Sequence, residues 1–539
     1  MGGQPAAPFA QLLTPVGDSL PLSFAVGITP IAVVLVLLGV LRRAAWQASL
    51  AGLATAFVLA VVVWQFPIRL AVESIAAGAA FALWPVLWIV LNALLLYNIT
   101  VATGRFGAFR DWMLLALPDD RRVAMVVIGF CFGALLEGIS GFGTPVAITA
   151  ALLIALGFPP LQALVVVLLF NTAPVAFGAL GAPVTTLGAV TQLPAETLGA
   201  MIGRQLPFIA LVLPFYVIAV FGGWRSVRAL WPFLLVAGGS FAAAQFVTSN
   251  FLRYELTDVL SAMGSLAVTL LFLRVWRPAP DPAFQLAADV RQAVAPTART
   301  WFGWSPWIAV TVVVIAWTSL GLNLLGEAKH FWPTLHEGVI ITLYDQPYAA
   351  SWNFQPLAIG TAILLTAILL AAVSRMSPAD FAGTLLVTWR QMRLTILTVV
   401  SIIALAYLMN YSGITYTLGL GVSSSKLWFL ILSPFLGWLA VFLTGSDTAG
   451  NALFGNLQSV AARQLELNPV LFAAANSSGG VMGKIISPQN IATGAAVTSM
   501  QGREGEVLAK TFKHSIFLTI LLGLIVLAQQ FLFPWMIPQ

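Results

Sequence analysis

The sequence predicts an all-α polytopic membrane protein. Of its 539 residues, 60% are hydrophobic and only 8% are charged, whereas about a quarter of the residues in soluble proteins are charged. The apolar residues form continuous runs of about 20 residues, the length of helix that spans a hydrocarbon core of ~30 Å. A transmembrane β-barrel would instead show alternating segments of about 10 residues. The composition therefore excludes a water-soluble globular protein and favours transmembrane helices.

Ten of the apolar runs have the length and continuity of single transmembrane helices. Each is bounded by charged, Pro-rich or Gly-rich segments, which are typical of the loops between spans. The ten predicted spans lie at residues 22–41, 46–66, 76–102, 204–221, 230–248, 259–274, 305–325, 355–373, 393–412 and 514–535.

Four further stretches are apolar but have polar, Gly-rich or Pro-rich centres. Irregular backbone at membrane depth is tolerated only where protein or water surrounds it, so such centres mark re-entrant hairpins or broken helices. We predict hairpins at residues 123–157 and 426–462, and helices broken near mid-membrane at residues 160–195 and 469–500. The total is about twelve crossings plus two re-entrant hairpins. If each hairpin instead crosses the membrane twice, every later loop stays on the same side of the membrane.

The distribution of positive charge predicts the orientation. With the N-terminus outside, the inside loops hold about 18 of the 25 Lys and Arg residues, as the excess of positive charge in cytoplasmic loops requires. Both termini are then predicted on the periplasmic side of a bacterial inner membrane. The pI of 9.7 is explained by this topology, so no nucleic-acid partner is predicted.

An internal repeat relates the two broken helices. Asn171 is followed by a Thr and, 12 positions after the Asn, by Pro183, while Asn476 is followed by a Ser and, at the same spacing, by Pro488. In the predicted topology the two copies run in opposite directions through the membrane. Inverted repeats with discontinuous helices are typical of secondary transporters, and the paired breaks indicate the binding site.

This repeat divides the chain into two halves joined by a linker. Each half is predicted to contain five crossings and one hairpin. The predicted units are a first inverted repeat at 1–221 with hairpin 123–157, two linking helices at 230–274, a cytoplasmic loop at 275–304, and a second inverted repeat at 305–539 with hairpin 426–462.

Three charged residues lie well inside apolar stretches: Glu137, Asp447 and Lys484. An ionisable group at membrane depth costs several kcal/mol unless it is paired or hydrated, so each is a functional candidate. Lys484 follows a run of small polar residues at the predicted break of the last broken helix. Free backbone N–H groups and the dipole at a helix N-terminus favour a carboxylate, and we predict an anion site there.

The two carboxylates, Glu137 and Asp447, are the predicted proton-coupling residues. A carboxylate in a low-dielectric, partly hydrated site binds a proton more readily than one in water. The sequence does not rank one above the other, and either is also a candidate ion-pair partner of Lys484. Other acids, including Glu255 and Asp258, are predicted to be solvent-facing loop charges.

Uncharged polar residues at the breaks complete the predicted site. Asn, Ser and Thr side chains bind carboxylates and hydroxyls, and they also satisfy backbone groups freed at a helix break. Substrate or ion contact is favoured for Asn171 and Asn476 because the repeat matches them. The full predicted substrate-binding set is Ser140, Gly141, Thr144, Asn171, Thr172, Gly445, Ser446, Asn476, Ser477, Ser478, Lys484 and Gln489.

Other classes of site lack their residues in the sequence. Cys131 is the only cysteine, and no His lies in the interior of an apolar run, since His514 only begins one, so no metal site and no cofactor are predicted. There is no phosphate-binding loop of the kind an ATP-driven pump requires. No Ser/His/Asp or His-rich constellation lies within the apolar runs, and we predict that the protein is not an enzyme.

Four segments carry the polar residues of the hairpins and broken helices. They are GISGFGTPVAIT at 138–149, FNTAPVAFGALGAPVTTLG at 170–188, LTGSDTAGNALFGNLQ at 443–458 and AANSSGGVMGKIISPQNIATG at 474–494. In these segments the chain resembles the lactate permease family of bacteria, and the general layout extends over nearly the whole chain. The resemblance implies an inner-membrane importer of 2-hydroxymonocarboxylates such as L-lactate, D-lactate and glycolate, working by proton symport.

Without the resemblance, the residues indicate only a transporter with an anion site. A sodium-coupled carrier or a channel for another small organic anion stays an alternative. The predicted partners are a small monocarboxylate and the lipid bilayer, and the sequence is compatible with a homo-oligomer. The preferred hydroxy acid and the choice between a moving transport domain and rocking halves are left open.

Overall fold

The computed structural model describes residues 8–41, 43–140, 144–285 and 300–538, and most of them are helical. Two short π-helical segments, Ala82–Leu87 and Val126–Phe132, continue α4 and α7 below. The helices are α1 Leu20–Gly27, α2 Thr29–Gly39, α3 Ala45–Val62, α4 Ile68–Phe81, α5 Trp88–Ala102, α6 Arg105–Ala116, α7 Arg121–Met125, α8 Gly133–Ser140, α9 Thr144–Ala155, α10 Pro160–Phe170, α11 Gly178–Thr191, α12 Ala195–Ile202, α13 Leu206–Phe251, α14 Thr257–Val275, α15 Thr300–Ser319, α16 Ile359–Val373, α17 Pro378–Ser412, α18 Ile414–Ser423, α19 Leu427–Thr444, α20 Asp447–Gln464, α21 Pro469–Lys484, α22 Pro488–Val497 and α23 Glu504–Phe531.

Many of these helices are long and apolar enough to cross a membrane. Within the described residues there are nine such stretches, or up to ten when the bent pair Pro160–Phe170 and Val175–Thr191 is taken as one span. The protein is therefore a multi-pass helical membrane protein. The exact number of twelve crossings stays a prediction.

Helix α13 contains two of the predicted spans, 204–221 and 230–248. Its helical geometry is interrupted at Gly223, where φ is +69° and ψ is 177°. The two parts fold back on each other, because a Cβ atom at Gly238 would lie only 2.6 Å from the carbonyl oxygen of Leu211. A positive φ of this kind favours glycine. Gly223 thus allows one nominal helix to form an antiparallel pair.

Both predicted hairpins fold back on themselves. In the second, Ser433 and Gln458 lie equally far from the break between Gly445 and Ser446, and Gln458 Nε2 donates to the carbonyl oxygen of Ser433 at 3.1 Å. In the first, a Cβ atom at Gly133 would lie 3.5 Å from the Thr149 side chain, across the tip. The arms of each hairpin therefore lie side by side. The depth of their tips in the bilayer stays a prediction.

The first broken helix agrees with the sequence prediction. Helix α10 ends at Phe170, and its axis makes an angle of 64° with the helical segment Val175–Thr191. Ala179, Leu180 and Gly181 all have left-handed backbone conformations. Such conformations are costly for residues other than glycine, so the surrounding packing must hold this irregular segment in place.

The second broken helix is broken at a different place from the one predicted. Helix α21 runs without interruption through Asn476 and Gly480 and ends at Lys484, and α22 begins at Pro488. The small polar run is therefore ordinary helix, and its backbone N–H groups take part in helical hydrogen bonds. Our expectation that this run offers free N–H groups to an anion is wrong.

Two further features differ from the all-helical prediction. The predicted span 76–102 is interrupted at Trp84, which has extended φ and ψ values of −140° and 114°. A second difference is a set of short strands in the segment between α15 and α16 and near the N-terminus. The strands are β1 Phe9–Ala10, β2 Ala328–Phe331, β3 Val339–Ile341, β4 Gln346–Pro347 and β5 Ser351–Phe354, paired in the order β1-β3-β4 and β2-β5.

In the β-sheets, β1 is parallel to β3, with Phe9 opposite Val339. The other two pairs, β3 with β4 and β2 with β5, are antiparallel. The N-terminal segment thus packs on a loop more than 300 positions away in the chain. This arrangement covers one end of the helical core.

Burial separates central from peripheral helices. Residues 122–139, which lead into the first hairpin tip, are all buried, whereas only 28% of the most apolar 18 residues in each of Leu20–Leu38 and Ala45–Val62 are buried. Apolar residues exposed on the peripheral helices suit contact with lipid. The polar hairpins and broken helices therefore lie at the centre, surrounded by apolar helices.

Glycines allow α19 and α21 to pack with their backbones in contact. A Cβ atom would lie 1.8 Å from the Asn476 carbonyl oxygen if placed on Gly437, and 2.1 Å from the Pro434 carbonyl oxygen if placed on Gly479. Gly483 follows Gly479 at the four-residue spacing that is typical of close helix packing in membranes. These contacts hold α21, which ends at Lys484, against the first arm of the second hairpin.

We expect Gly479→Ala to lower the thermal unfolding midpoint of the purified protein, because overpacking of this kind costs about 1–3 kcal/mol. Size-exclusion chromatography of samples heated to a series of temperatures would measure this midpoint. Gly505→Ala is the matched control, since no atom lies within 4 Å of a Cβ at that position. Equal midpoints for the two variants would contradict the close backbone contact.

Candidate substrate and ion site

A buried ion pair lies at the centre of the molecule. Lys484, the last residue of α21, places its Nζ atom 2.5 Å from Oε1 of Glu137 on α8. Only 5% of Lys484 and 2% of Glu137 are exposed. The sequence left open which carboxylate pairs with the lysine, and the structure assigns Glu137 to it.

The ion pair is supported by the first broken helix. Asn171, at the end of α10, donates from Nδ2 to the second oxygen of Glu137 at 3.0 Å. A Cβ atom at Gly178 would lie 3.1 Å from Glu137 Oε1, so the start of α11 also lies against this carboxylate. A buried ion pair is tolerable only when further hydrogen bonds satisfy its charges, and the break supplies one of them.

The second carboxylate, Asp447, begins helix α20 at the tip of the second hairpin. Gly445 has a φ of +72°, and Ser446 caps the helix by accepting a hydrogen bond from the Ala449 amide at 3.3 Å. Oδ2 of Asp447 accepts a hydrogen bond from Ser477 Oγ at 2.5 Å, whereas Oδ1 has no partner among the described residues. Only one of the two carboxylate oxygens of Asp447 therefore has hydrogen-bond donors in the described structure.

A small cavity joins the two carboxylates and the lysine. Its volume is about 30 Å³, enough to hold ordered water. The N-terminus of α20 and the Lys484 ammonium attract an anion, whereas the two carboxylates of the lining repel one. A three-carbon acid needs more room, so the walls must separate to admit it. The cavity is lined by Glu137, Val175, Gly178, Ala179, Pro183, Gly445, Ser446, Asp447, Thr448 and Lys484.

Known membrane transport proteins resemble this chain over nearly its whole length. The sequence profile of the L-lactate permeases matches residues 23–533 of the chain.

The chain belongs to the L-lactate permease family.

Two curated relatives show how far the likeness extends. An L-lactate permease of Bacillus subtilis is 40% identical over 98% of this chain and 100% of its own length. The glycolate permease GlcA of Escherichia coli is 40% identical over 98% of this chain and 99% of its own length. The relatives are named permeases, which are transporters rather than enzymes. The family resemblance expected from the four polar segments is thereby confirmed.

One solved structure shares the fold. MtrF of Neisseria gonorrhoeae, described as one of a class of antimetabolite efflux pumps, superposes with a TM-score of 0.50 and covers 92% of this permease and 97% of its own chain. The sequences are only 14% identical. The likeness therefore concerns the architecture of the helices.

Several predicted site residues of the permease serve its internal structure. Asn476 donates to Asn451 Oδ1 at 2.9 Å and accepts from Gln458 Nε2 at 2.7 Å. Its side-chain amide therefore bonds α21 to the second hairpin. Ser478 donates to Gln205 Oε1 at 2.7 Å. Thr172 donates to the Leu169 carbonyl oxygen at 2.7 Å. None of Asn476, Ser478 and Thr172 is among the described residues that line the small cavity.

Other predicted residues of the permease lie at its edge or outside the described residues. Gln489 is exposed and lines a separate groove of about 400 Å³, which also includes Ser446 and Arg43. Ser446 therefore lines both the groove and the small cavity. Gly141 lies outside the described residues, and only the backbone is described for Ser140 and Thr144.

The sequence prediction missed Asn451. This residue lies one helical turn after Asp447, and its Nδ2 atom is 3.3 Å from Asp447 Oδ2, 3.2 Å from Ser477 Oγ and 3.2 Å from the Pro183 carbonyl oxygen. It thus joins the second hairpin to the first broken helix. The spacing of four residues from a buried acid on one helix was the signal that could have identified it.

The prediction of solvent-facing loop charges is wrong for Glu255 and Asp258. Glu255 is buried, and Arg253 donates to both of its carboxylate oxygens, at 3.0 and 3.3 Å. Asp258 is fully buried in the first turn of α14. Both acids directly precede an apolar run, a position that sequence alone does not distinguish from the end of a loop.

We expect the loss of one partner of the Glu137–Lys484 pair to destabilise the permease more than the loss of both charges. Lys484→Met leaves a buried carboxylate without its cation, which costs about 3–5 kcal/mol, and adding Glu137→Gln should restore part of that stability. Thermal unfolding midpoints in detergent would measure this.

Arg503→Gln is the control for this comparison, because Arg503 forms an exposed ion pair with Glu506, and such pairs contribute little. Its unfolding midpoint should match that of the wild type. A double variant no more stable than Lys484→Met would show that the two buried charges are not coupled.

Proposed function

We propose that this permease imports a small 2-hydroxymonocarboxylate across the bacterial inner membrane in symport with a proton. L-lactate is the expected substrate, with D-lactate and glycolate as further candidates. The named activities of the relatives at 40% identity support the substrate class. The observation that carries the proposal is the buried Lys484 at a cavity lined by both predicted halves. We also propose twelve crossings, re-entrant hairpin tips and periplasmic termini.

The ion pair suggests how binding and proton uptake are linked. Lys484 is already paired with Glu137, so a substrate carboxylate must compete with Glu137 for the same ammonium group. An extra anion in this buried place would leave an unpaired negative charge, which is costly. A proton on Glu137 removes that charge and frees Lys484 for the substrate. One anion and one proton then enter together without a net change of charge.

Asp447 is the second candidate for proton coupling. It faces the same cavity from the tip of the second hairpin, and its Oδ1 atom has no hydrogen-bond partner in the described structure. When protonated, it is able to donate a hydrogen bond to a substrate oxygen. We assign the 2-hydroxyl of the substrate to the neighbouring Ser446 and Thr448, whose side chains both donate and accept.

The architecture is suited to alternating access. The small cavity lies between the first broken helix and the tip of the second hairpin, as in transporters built from inverted repeats. By analogy with such folds, we favour a moving unit that includes the hairpins over a fixed site with rocking halves. The unit would carry the ion pair and the bound substrate together.

Lys484→Gln is expected to abolish lactate transport while the protein still folds, because the substrate carboxylate loses its cation. Loss of a buried charge partner costs about 2–5 kcal/mol, equivalent to a 30-fold or greater loss. Counterflow of labelled lactate in proteoliposomes would measure it, since a carrier exchanges substrate and a channel does not. Lys510→Gln, at an exposed position, is the matched control. Unchanged counterflow in Lys484→Gln would refute the anion site.

Glu137→Gln or Asp447→Asn is expected to prevent accumulation of lactate driven by a pH gradient, because a neutral amide cannot carry the proton. The rate of exchange of labelled lactate should fall less than the accumulation does. If both variants accumulate lactate normally, the proton-coupling residues are wrongly assigned. Uptake that follows an imposed sodium gradient instead of the pH gradient would overturn proton symport.

A further inference from the structure

Asp258 is a buried acid outside the set of Glu137, Asp447 and Lys484 to which the proposed symport assigns roles. None of its surface is exposed, and neither of its carboxylate oxygens has a hydrogen-bond partner in the part of the chain that the structure describes. Other buried acids have partners: Glu137 has Lys484, Asp447 has Ser477, and Glu255 has Arg253. Asp258 therefore needs a separate explanation.

The position of Asp258 connects it with the ion pair. It lies in the first turn of α14, and a Cβ atom at Gly138 would be only 2.7 Å from the Asp258 Cβ atom. Gly138 directly follows Glu137, so α14 and α8 meet at the residue next to the paired carboxylate. Asp258 is thus close enough for the charges of Glu137 and Lys484 to influence its carboxyl group.

The energetics favour a proton on Asp258 while Glu137 is paired with Lys484. An ionised carboxylate buried without donors costs several kcal/mol, and the negative charge of Glu137 adds repulsion. Protonation removes both costs. The proton on Asp258 is then close to the one carboxylate that must be neutralised before Lys484 becomes available to a substrate.

Other titratable groups near Asp258 are already engaged. Glu255, one turn earlier, is bonded to Arg253, and the Tyr254 hydroxyl is 3.0 Å from Thr185 Oγ1. The Cys131 thiol on the neighbouring π-helical segment lies 3.4 Å from Ser265 Oγ, on a later turn of α14. Among the acids outside the small cavity, Asp258 is therefore the unpartnered one that packs beside Glu137.

We propose that Asp258 is a proton-binding residue of the transport site, which passes its proton to Glu137 and so releases Lys484 to the substrate. The proton leaves an oxygen of Asp258 and bonds to the Glu137 carboxylate. The Glu137–Lys484 ion pair breaks, and Lys484 pairs with the substrate carboxylate. Asp258 then regains a proton from the aqueous side to which the site is open. The net result is one anion and one proton bound, and this step rests on the proposed symport.

The test compares Asp258→Asn with wild-type permease in proteoliposomes containing a pH-sensitive dye. An amide cannot pass a proton on, but during exchange the proton already on Glu137 stays bound, so counterflow of labelled lactate should stay within about 2-fold of wild type. Lactate-driven acidification of the lumen and accumulation driven by a pH gradient should fall by at least 10-fold. Asp258→Glu, which keeps a carboxyl group, should recover part of the coupled uptake.

Glu255→Gln is the matched control, since it changes a buried acid to an amide three residues away. It leaves the Glu137–Lys484 pair intact, and the Gln side chain is still able to accept a hydrogen bond from Arg253. It should retain both counterflow and accumulation. Normal accumulation by Asp258→Asn would overturn the role of Asp258 and leave proton symport standing. Loss of counterflow in both Asp258→Asn and Asp258→Glu would show that Asp258 is only structural. Absence of lactate counterflow in wild-type vesicles would overturn the proposed function itself and, with it, this role.

Discussion

A charge buried away from water must be paired, and much of the central structure follows from this constraint. Lys484 and Glu137 are separated by 347 positions in the chain, so their contact requires the last broken helix and the first hairpin to meet. Asn171 reaches the pair only because α10 ends beside it. Interrupted helices are costly in an apolar environment, and here they place polar groups where the charges need them.

Small residues are the second requirement of this arrangement. Gly178 lets a helix start against the Glu137 carboxylate, and Gly138 lets Asp258 approach the same region. A Cβ atom at Gly480 would lie 2.3 Å from Asp447 Oδ1, so the second carboxylate also depends on a glycine opposite it. The four polar segments are rich in glycine because their backbones and charged side chains approach one another closely, in addition to any need for flexibility.

The sequence predicted the class of fold because hydrophobic length and charge asymmetry depend on the bilayer rather than on detailed packing. It also located the two segments that fold back and the first broken helix, since their centres violate the apolar pattern, while the re-entrant position of the two tips stays a prediction. The second break was misplaced because Asn476 and Ser477, which suggest a break, are satisfied within a continuous helix by Asn451, Gln458 and Asp447. Asp258 was missed for the opposite reason. Its burial depends on how α14 packs against α8, and this contact between distant segments leaves no local pattern.

The position of Ser446 has a consequence for access to the ion pair. This residue lines both the small cavity and the larger groove beside Arg43, so the N-terminus of α20 lies between the ion pair and that groove. The hydrogen bond from the Ala449 amide to Ser446 Oγ is worth about 0.5–1.5 kcal/mol. A passage from the ion pair to the groove would therefore run past this one capped helix end.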